Sequence, residues 1–255
     1  MRFITTTIFL LVASCASAQP IECSKDPAPS TQPAPPPPPP PPPPTPKPAA
    51  VSCPSSSSSP SSSSSSAISK DNMVKVLKEI APTSAKEPCV SAEKAEGQCR
   101  SASQAAEPLI NSFEKYKITS KPEMAAILGL IAFETGEFKY QKNVFPGRPG
   151  QGTRNMQMPK FNALYAQSIP EVAAKLGPKM SNVDAVLDML LSKDDYDFGS
   201  AAWFLTTQCT PPVRTALQSG SEEGWSKYMT ECIGTTVTDE RKKYWTKAQE
   251  SVKSL

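Results

Sequence analysis

Residues 131–138 read Ile-Ala-Phe-Glu-Thr-Gly-Glu-Phe, and they set two carboxylates, Glu134 and Glu137, at the end of a run with hardly a polar side chain. Two forces push a carboxyl at such a position toward its protonated form: desolvation by an apolar wall and the negative end of the helix dipole. An acid kept protonated near neutral pH is the proton donor that glycosidic cleavage requires. Glu134 is therefore the candidate general acid, against the plainer reading of a hydrated helix-end glutamate. A second carboxylate would stand about 6.5–9.5 Å away in an inverting hydrolase and about 5–5.5 Å away as a nucleophile. Glu137, three residues on, is the first candidate for it. Asp194, Asp195 and Asp197 form another acidic group, which also reads as the first-turn acids of a helix.

The rest of the composition narrows the chemistry. The chain has no histidine, which removes Ser-His-Asp and Cys-His mechanisms and leaves no imidazole for zinc. No cofactor and no metal are expected. A net charge of +3 over 255 residues gives no reason to expect a nucleic-acid groove. Met1–Arg2, a short apolar run and small residues at Ala16 and Ala18 read as a secretory leader over 1–18. After it, no segment approaches the roughly 20 apolar residues of a membrane span. Of seven cysteines, six lie beyond that leader, an even number that favours disulfides in an oxidising compartment. Proximity pairs Cys89 with Cys99 and Cys209 with Cys232, and leaves Cys23 with Cys53.

The elements that must position Glu134 follow from the pattern. Residues 19–67 hold ten consecutive prolines, Pro35–Pro44, and a serine run, the composition of a stalk or spacer without a core. Residues 68–255 are of single-domain size and read as all-α, with a long Gly/Pro-rich loop or a small β wing after Glu137. Met73, Val74, Val76, Leu77 and Ile80 recur near helical spacing ahead of Pro82. Ser120 and Glu123 form an S-x-x-E box that opens a helix over 121–134, and Gly136 is its stop. Apolar or small residues on every face make that helix central. Further helices are expected at about 101–117, 159–167, 171–176, 182–192, 197–208, 221–231 and 239–253. Gly177 and Gly220 stand where helix ends belong, and Trp203 reads as core.

Glu134-Thr135 with Phe138, a Gly-rich excursion, and then Asn155-Met156-Gln157-Met158-Pro159 together resemble the lytic transglycosylases and goose-type lysozymes. Residues 198–208, FGSAAWFLTTQ, are similar to the small-plus-aromatic helix of that group and of plant-type chitinases. All belong to the lysozyme-like superfamily. The resemblance covers about residues 120–210. It departs at Asn155, where leucine or glycine is common, and no S-x-x-G-A precedes it. It implies a lysozyme-like domain with Glu134 as general acid. Asn155, Gln157 and the adjoining backbone would line a sugar site, with Tyr140 and Tyr196 against sugar rings or N-acetyl groups. The expected protein is a secreted, monomeric glycoside hydrolase acting on β-1,4-linked peptidoglycan or chitin. The alternative is a non-catalytic, wall-associated glycan-binding protein.

Overall fold

The central helix is built where the apolar run demands it. The structure is a computed structural model that describes residues 68–255. In it α3 spans Lys121–Glu134, and every residue from Glu123 to Ala132 is buried. Before it come α1 (Lys70–Ile80) and α2 (Ala102–Lys115). After the long loop follow α4 (Pro159–Gln167), α5 (Pro170–Leu176), α6 (Val183–Leu190) and α7 (Asp194–Thr207). The chain ends with α8 (Pro211–Gln218), α9 (Glu222–Lys227) and α10 (Asp239–Ser251). The fold is all-α, with α10 and α8 packed on α3, and α2 joining α1 to α7.

Local chemistry explains the element ends. Ser69 caps α1 by accepting from the Asn72 amide at 3.1 Å. Of the expected stripe, Met73, Val76, Leu77 and Ile80 are buried, while Val74 is only partly covered. At α2 the Ser101 amide donates to the Gln104 side chain at 2.9 Å, half of a capping box. The box expected at Ser120 does not form. Glu123 is buried instead, and its carboxylate accepts from Arg214 of α8 at 2.5 Å, a stronger claim on a buried acid than a solvent-side cap. Gly136 does end α3, at φ +55°.

The segment 139–158 contains no strand. It is shaped by two isolated antiparallel bridges, Lys142 with Gly152 and Gly152 with Gln157, so the expected wing shrinks to a pinched loop. Gly152 is required there, since a Cβ would stand 2.6 Å from the Gln141 carbonyl oxygen and 2.8 Å from Leu187. The expected helix 221–231 stops at Lys227 and widens into a π turn, Tyr228–Ile233, which brings Cys232 to Cys209. Cys89–Cys99 and Cys209–Cys232 are both disulfides. The leader, the stalk and the Cys23–Cys53 pairing lie outside the described residues.

Two hydrophobic clusters share the helices. One gathers α1, α2, α3, α8 and α10 with Phe138, Phe198, Ala201, Ala202 and Leu205. The other gathers α4, α5 and α6 with Tyr196, Trp203 and Phe204. Trp203 is core, as expected. Among the described residues, no helix is long and apolar enough to cross a membrane.

Candidate functional site

Glu134 reaches the end of α3 and meets a cation. Its Oε1 accepts from the Arg241 guanidinium of α10 at 2.5 Å, and the same guanidinium lies 4.2 Å from the centre of the Phe133 ring. One of the two Glu134 carboxylate oxygens is thus engaged by Arg241. The carboxylate still borders a cleft of about 280 Å³ that Tyr140, Lys142, Val144, Phe145 and Met156 also line. Phe145, 90% exposed, stands at its rim. Lys142 is drawn outward to Asp188 at 2.7 Å.

Glu137 does not line this cleft. Its Oε2 accepts from the Thr83 backbone amide at 2.6 Å, and its Oε1 accepts from the Tyr244 hydroxyl at 2.9 Å. Burial works to raise its pKa, but the Thr83 and Tyr244 hydrogen bonds and nearby Lys139 outweigh it and hold the carboxyl below its ordinary value. Burial, then the bond to Glu137, pushes Tyr244 up to about 12. Glu137 is a strut between the Thr83 turn and α10, with both oxygens committed.

That strut carries a pH prediction. A depressed carboxyl pKa contributes stability that is fully present above the unfolded value and lost as pH falls through the folded one. Glu137→Gln is expected to lower stability at pH 7 by about 1 kcal/mol. The gap between variant and wild type should narrow below about pH 4.5, the ordinary carboxyl value. Urea melts at pH 7 and pH 3.5 measure it, and a gap that widens in acid refutes the assignment.

The remaining sequence candidates separate. Tyr140 lies at the cleft with Glu134. Asn155 and Gln157 are buried beneath the loop, in a chain of amides: Asn155 Nδ2 donates to Gln157 Oε1 at 3.2 Å, and Gln157 Nε2 to Asn162 Oδ1 at 2.8 Å. Tyr196 points elsewhere, donating to Glu171 and accepting from Lys193. The acidic group is dispersed. Asp194 pairs with Arg100 at 2.9 Å, Asp195 accepts from Asn111 at 3.0 Å, and Asp197 turns inward.

Asp197 leads to the residue that sequence reasoning missed. Arg154 is fully buried, and its Nε donates to Asp197 Oδ2 at 2.8 Å. Its Nη1 donates to the carbonyls of Phe138 and Tyr140 at 2.8 and 2.9 Å, and its Nη2 to that of Gln98 at 2.7 Å. Burial raises the Asp197 carboxyl to about 6 against the pull of Arg154, and its Oδ1 has no hydrogen-bond partner. A lone arginine in a glycine-rich loop carries no sequence signal of burial.

Compared with known proteins, the chain matches no family model and no solved structure. Over 141 residues it is 48% identical to a Fusarium oxysporum (strain Fo5176) protein named bifunctional dioxygenase (DOX)-epoxy alcohol synthase (EAS). The shared stretch is 52% of this chain and 11% of that protein, so the chain spans about a tenth of the relative it matches. The name is that of an oxygenating enzyme and synthase. It overturns the expectation of a glycoside hydrolase acting on peptidoglycan or chitin, and it lends no support to the alternative of a wall-associated glycan binder. Glu134 and Glu137, the pair expected to act as acid and partner, hydrogen-bond to Arg241 and to Thr83 and Tyr244 respectively. The chain is similar over that stretch to part of a dioxygenase–epoxy alcohol synthase.

Proposed function

We propose that residues 68–255 form a binding module without a redox centre of its own. Its ligand is a small amphipathic molecule bearing hydroxyl or epoxide oxygen, the class to which an epoxy alcohol belongs. The observation that carries this reading is the cleft itself. Exposed Phe145, with Val144 and Met156, offers an apolar rim beside the Tyr140 side chain and the Glu134 carboxylate. Such a mixture suits a ligand with an apolar body and one or two oxygens, and about 280 Å³ is at the small end of ligand sites.

Dioxygenase chemistry requires a group that activates oxygen, and the donor set among the described residues does not fit one. Histidine is absent from the sequence. The four described cysteines are spent in disulfides, and among the described residues no three His, Cys, Asp or Glu side chains are grouped to hold a metal ion. The module's part in such chemistry is therefore to bind, not to oxidise. Secretion belongs to the same proposal, since disulfides suit an oxidising compartment. So does a lysozyme-like arrangement of the helices, resting on the Glu134–Phe138 and Asn155–Pro159 segments.

The test is an NMR titration of the full chain with the epoxide of hexenol, an epoxy alcohol, beside hexanol. Shifts are expected with the epoxide at Tyr140, Lys142 and Gln151, the last of which also lines the cleft. Phe145→Ala should weaken binding about tenfold, or about 1.4 kcal/mol, while changing stability by less than about 0.5 kcal/mol because the ring is exposed. Absent shifts, or equal affinity in the variant, would refute the reading.

A further inference from the structure

The two segments that lead into the cleft, 136–142 and 150–157, contain backbone that ordinary residues avoid. Gly136, Glu137 and Phe138 follow one another at φ +55°, +63° and +67°, and across the loop Thr153 and Met156 stand at +60° and +46°. Left-handed conformations crowd the Cβ of any residue but glycine, and they persist only where surrounding structure over-determines them. Arg154 ties the two segments together from the buried side. Arg154 lies within the second segment and reaches the carbonyls of Phe138 and Tyr140 in the first. It also holds the Gln98 carbonyl. Gln98 Oε1 in turn accepts from the amides of Gln141 at 3.0 Å and Lys142 at 3.2 Å. The wall 138–142 thus hangs from Arg154 directly and through Gln98.

We propose that Arg154 is the positioning residue of the cleft. It fixes Tyr140 and the 138–142 wall relative to Glu134, with Asp197 as the buried counter-charge that keeps the guanidinium in place. The proposal rests on the cleft being the ligand site. Lysine cannot replace the planar fork, because one ammonium does not reach three carbonyls and a carboxylate in that geometry.

The counter-charge makes the wall sensitive to acid. Asp197 faces Arg154 from the loop, Arg100 from the segment before α2, Asp194 on its own helix and Tyr165 from α4. Its raised carboxyl means that the folded state takes up this proton before the unfolded chain does. For this group, stability therefore rises as pH falls through about 6. Protonation removes the charge opposite Arg154 without unfolding the domain. Where Arg154 moves away while Asp197 stays buried, the carboxyl loses the charge that holds its pKa down and binds the proton more tightly. Acid therefore favours that loosened wall while the helices hold.

Amide hydrogen exchange on the ligand-free full chain tests this. Arg154→Lys is expected to lower protection at Gln141 and Lys142 about tenfold, with the α1 and α3 amides unchanged. Wild type should show the same selective loss between pH 7 and pH 5, after correction for intrinsic exchange, so the result does not depend on the variant folding. Unchanged protection at Gln141 and Lys142, or loss spread evenly over all helices, overturns the proposal. Affinity for the hexenol epoxide should fall about tenfold in Arg154→Lys. Should wild type bind no epoxide, the ligand reading fails by itself, and the exchange measurement, made without ligand, still decides the role of Arg154.

Discussion

Arg154→Met is expected to destabilise the domain by about 3–5 kcal/mol, the usual result of removing one partner from a buried ion pair. Asp197→Asn should cost less, about 1–3 kcal/mol, because an amide oxygen can still accept from Arg154 Nε. The informative variant is the double one. Buried pairs whose members serve only each other can often be replaced by apolar residues with little loss. This pair differs, because Arg154 also satisfies the carbonyls of Phe138, Tyr140 and Gln98. Those acceptors lose their donor whatever stands at 197. The double variant should therefore remain about as unstable as Arg154→Met alone, with a coupling of about 1–3 kcal/mol from a denaturation double-mutant cycle. Wild-type stability in the double variant would show that Arg154 is no more than a counter-ion.

Gly224→Ala should be the most damaging exchange of a single hydrogen for a methyl in the domain. A Cβ there would lie 2.0 Å from the Ala216 carbonyl oxygen and 2.6 Å from its carbon. Both atoms are backbone of α8, so no side chain can swing aside, and α8 and α9 must part. The loss expected is more than about 4 kcal/mol, or a fall in Tm of about 10 °C for a domain of this size. A second signal accompanies it. Trp225, next to Gly224, stacks on Trp245 with ring centres 4.7 Å apart and planes 9° from parallel. Near-ultraviolet circular dichroism should lose that exciton signal as the joint opens. A variant that melts like wild type would mean that α8 and α9 are not in this register.

Much of the frame could be read from local pattern. The α1 stripe, the uniformly apolar α3, the Gly136 stop and the two disulfides each follow from residues close together in sequence. What escaped was decided at long range. Glu123 looked like a cap because its partner, Arg214, lies 91 residues away. Glu134 looked like a free acid because Arg241 lies 107 residues away. Gly220 marked the end of a helix whose start was not among those expected; proline at the first turn is how helices often begin, and α8 begins at Pro211. Tyr196 and Tyr140 looked equivalent as candidate sugar contacts, and only the packing that turns Tyr196 toward Glu171 of α5 separates them. The functional expectation failed for the same reason. A short motif around Glu134 specifies a helix end and a loop, while the chemistry depends on what the rest of the chain brings to that carboxylate.

Helix α7 belongs to neither cluster alone. Phe198, Ala201, Ala202 and Leu205 face one cluster, while Tyr196, Trp203 and Phe204 face the other. The helix is thus a party wall between two rooms, and Asp197 is the bolt set in its first turn. Neither room can be refurnished independently, because a larger residue admitted on one side presses the wall into the other. Sequence change in this domain should therefore come in matched pairs across α7, and the cleft above the bolt inherits the rigidity of both rooms.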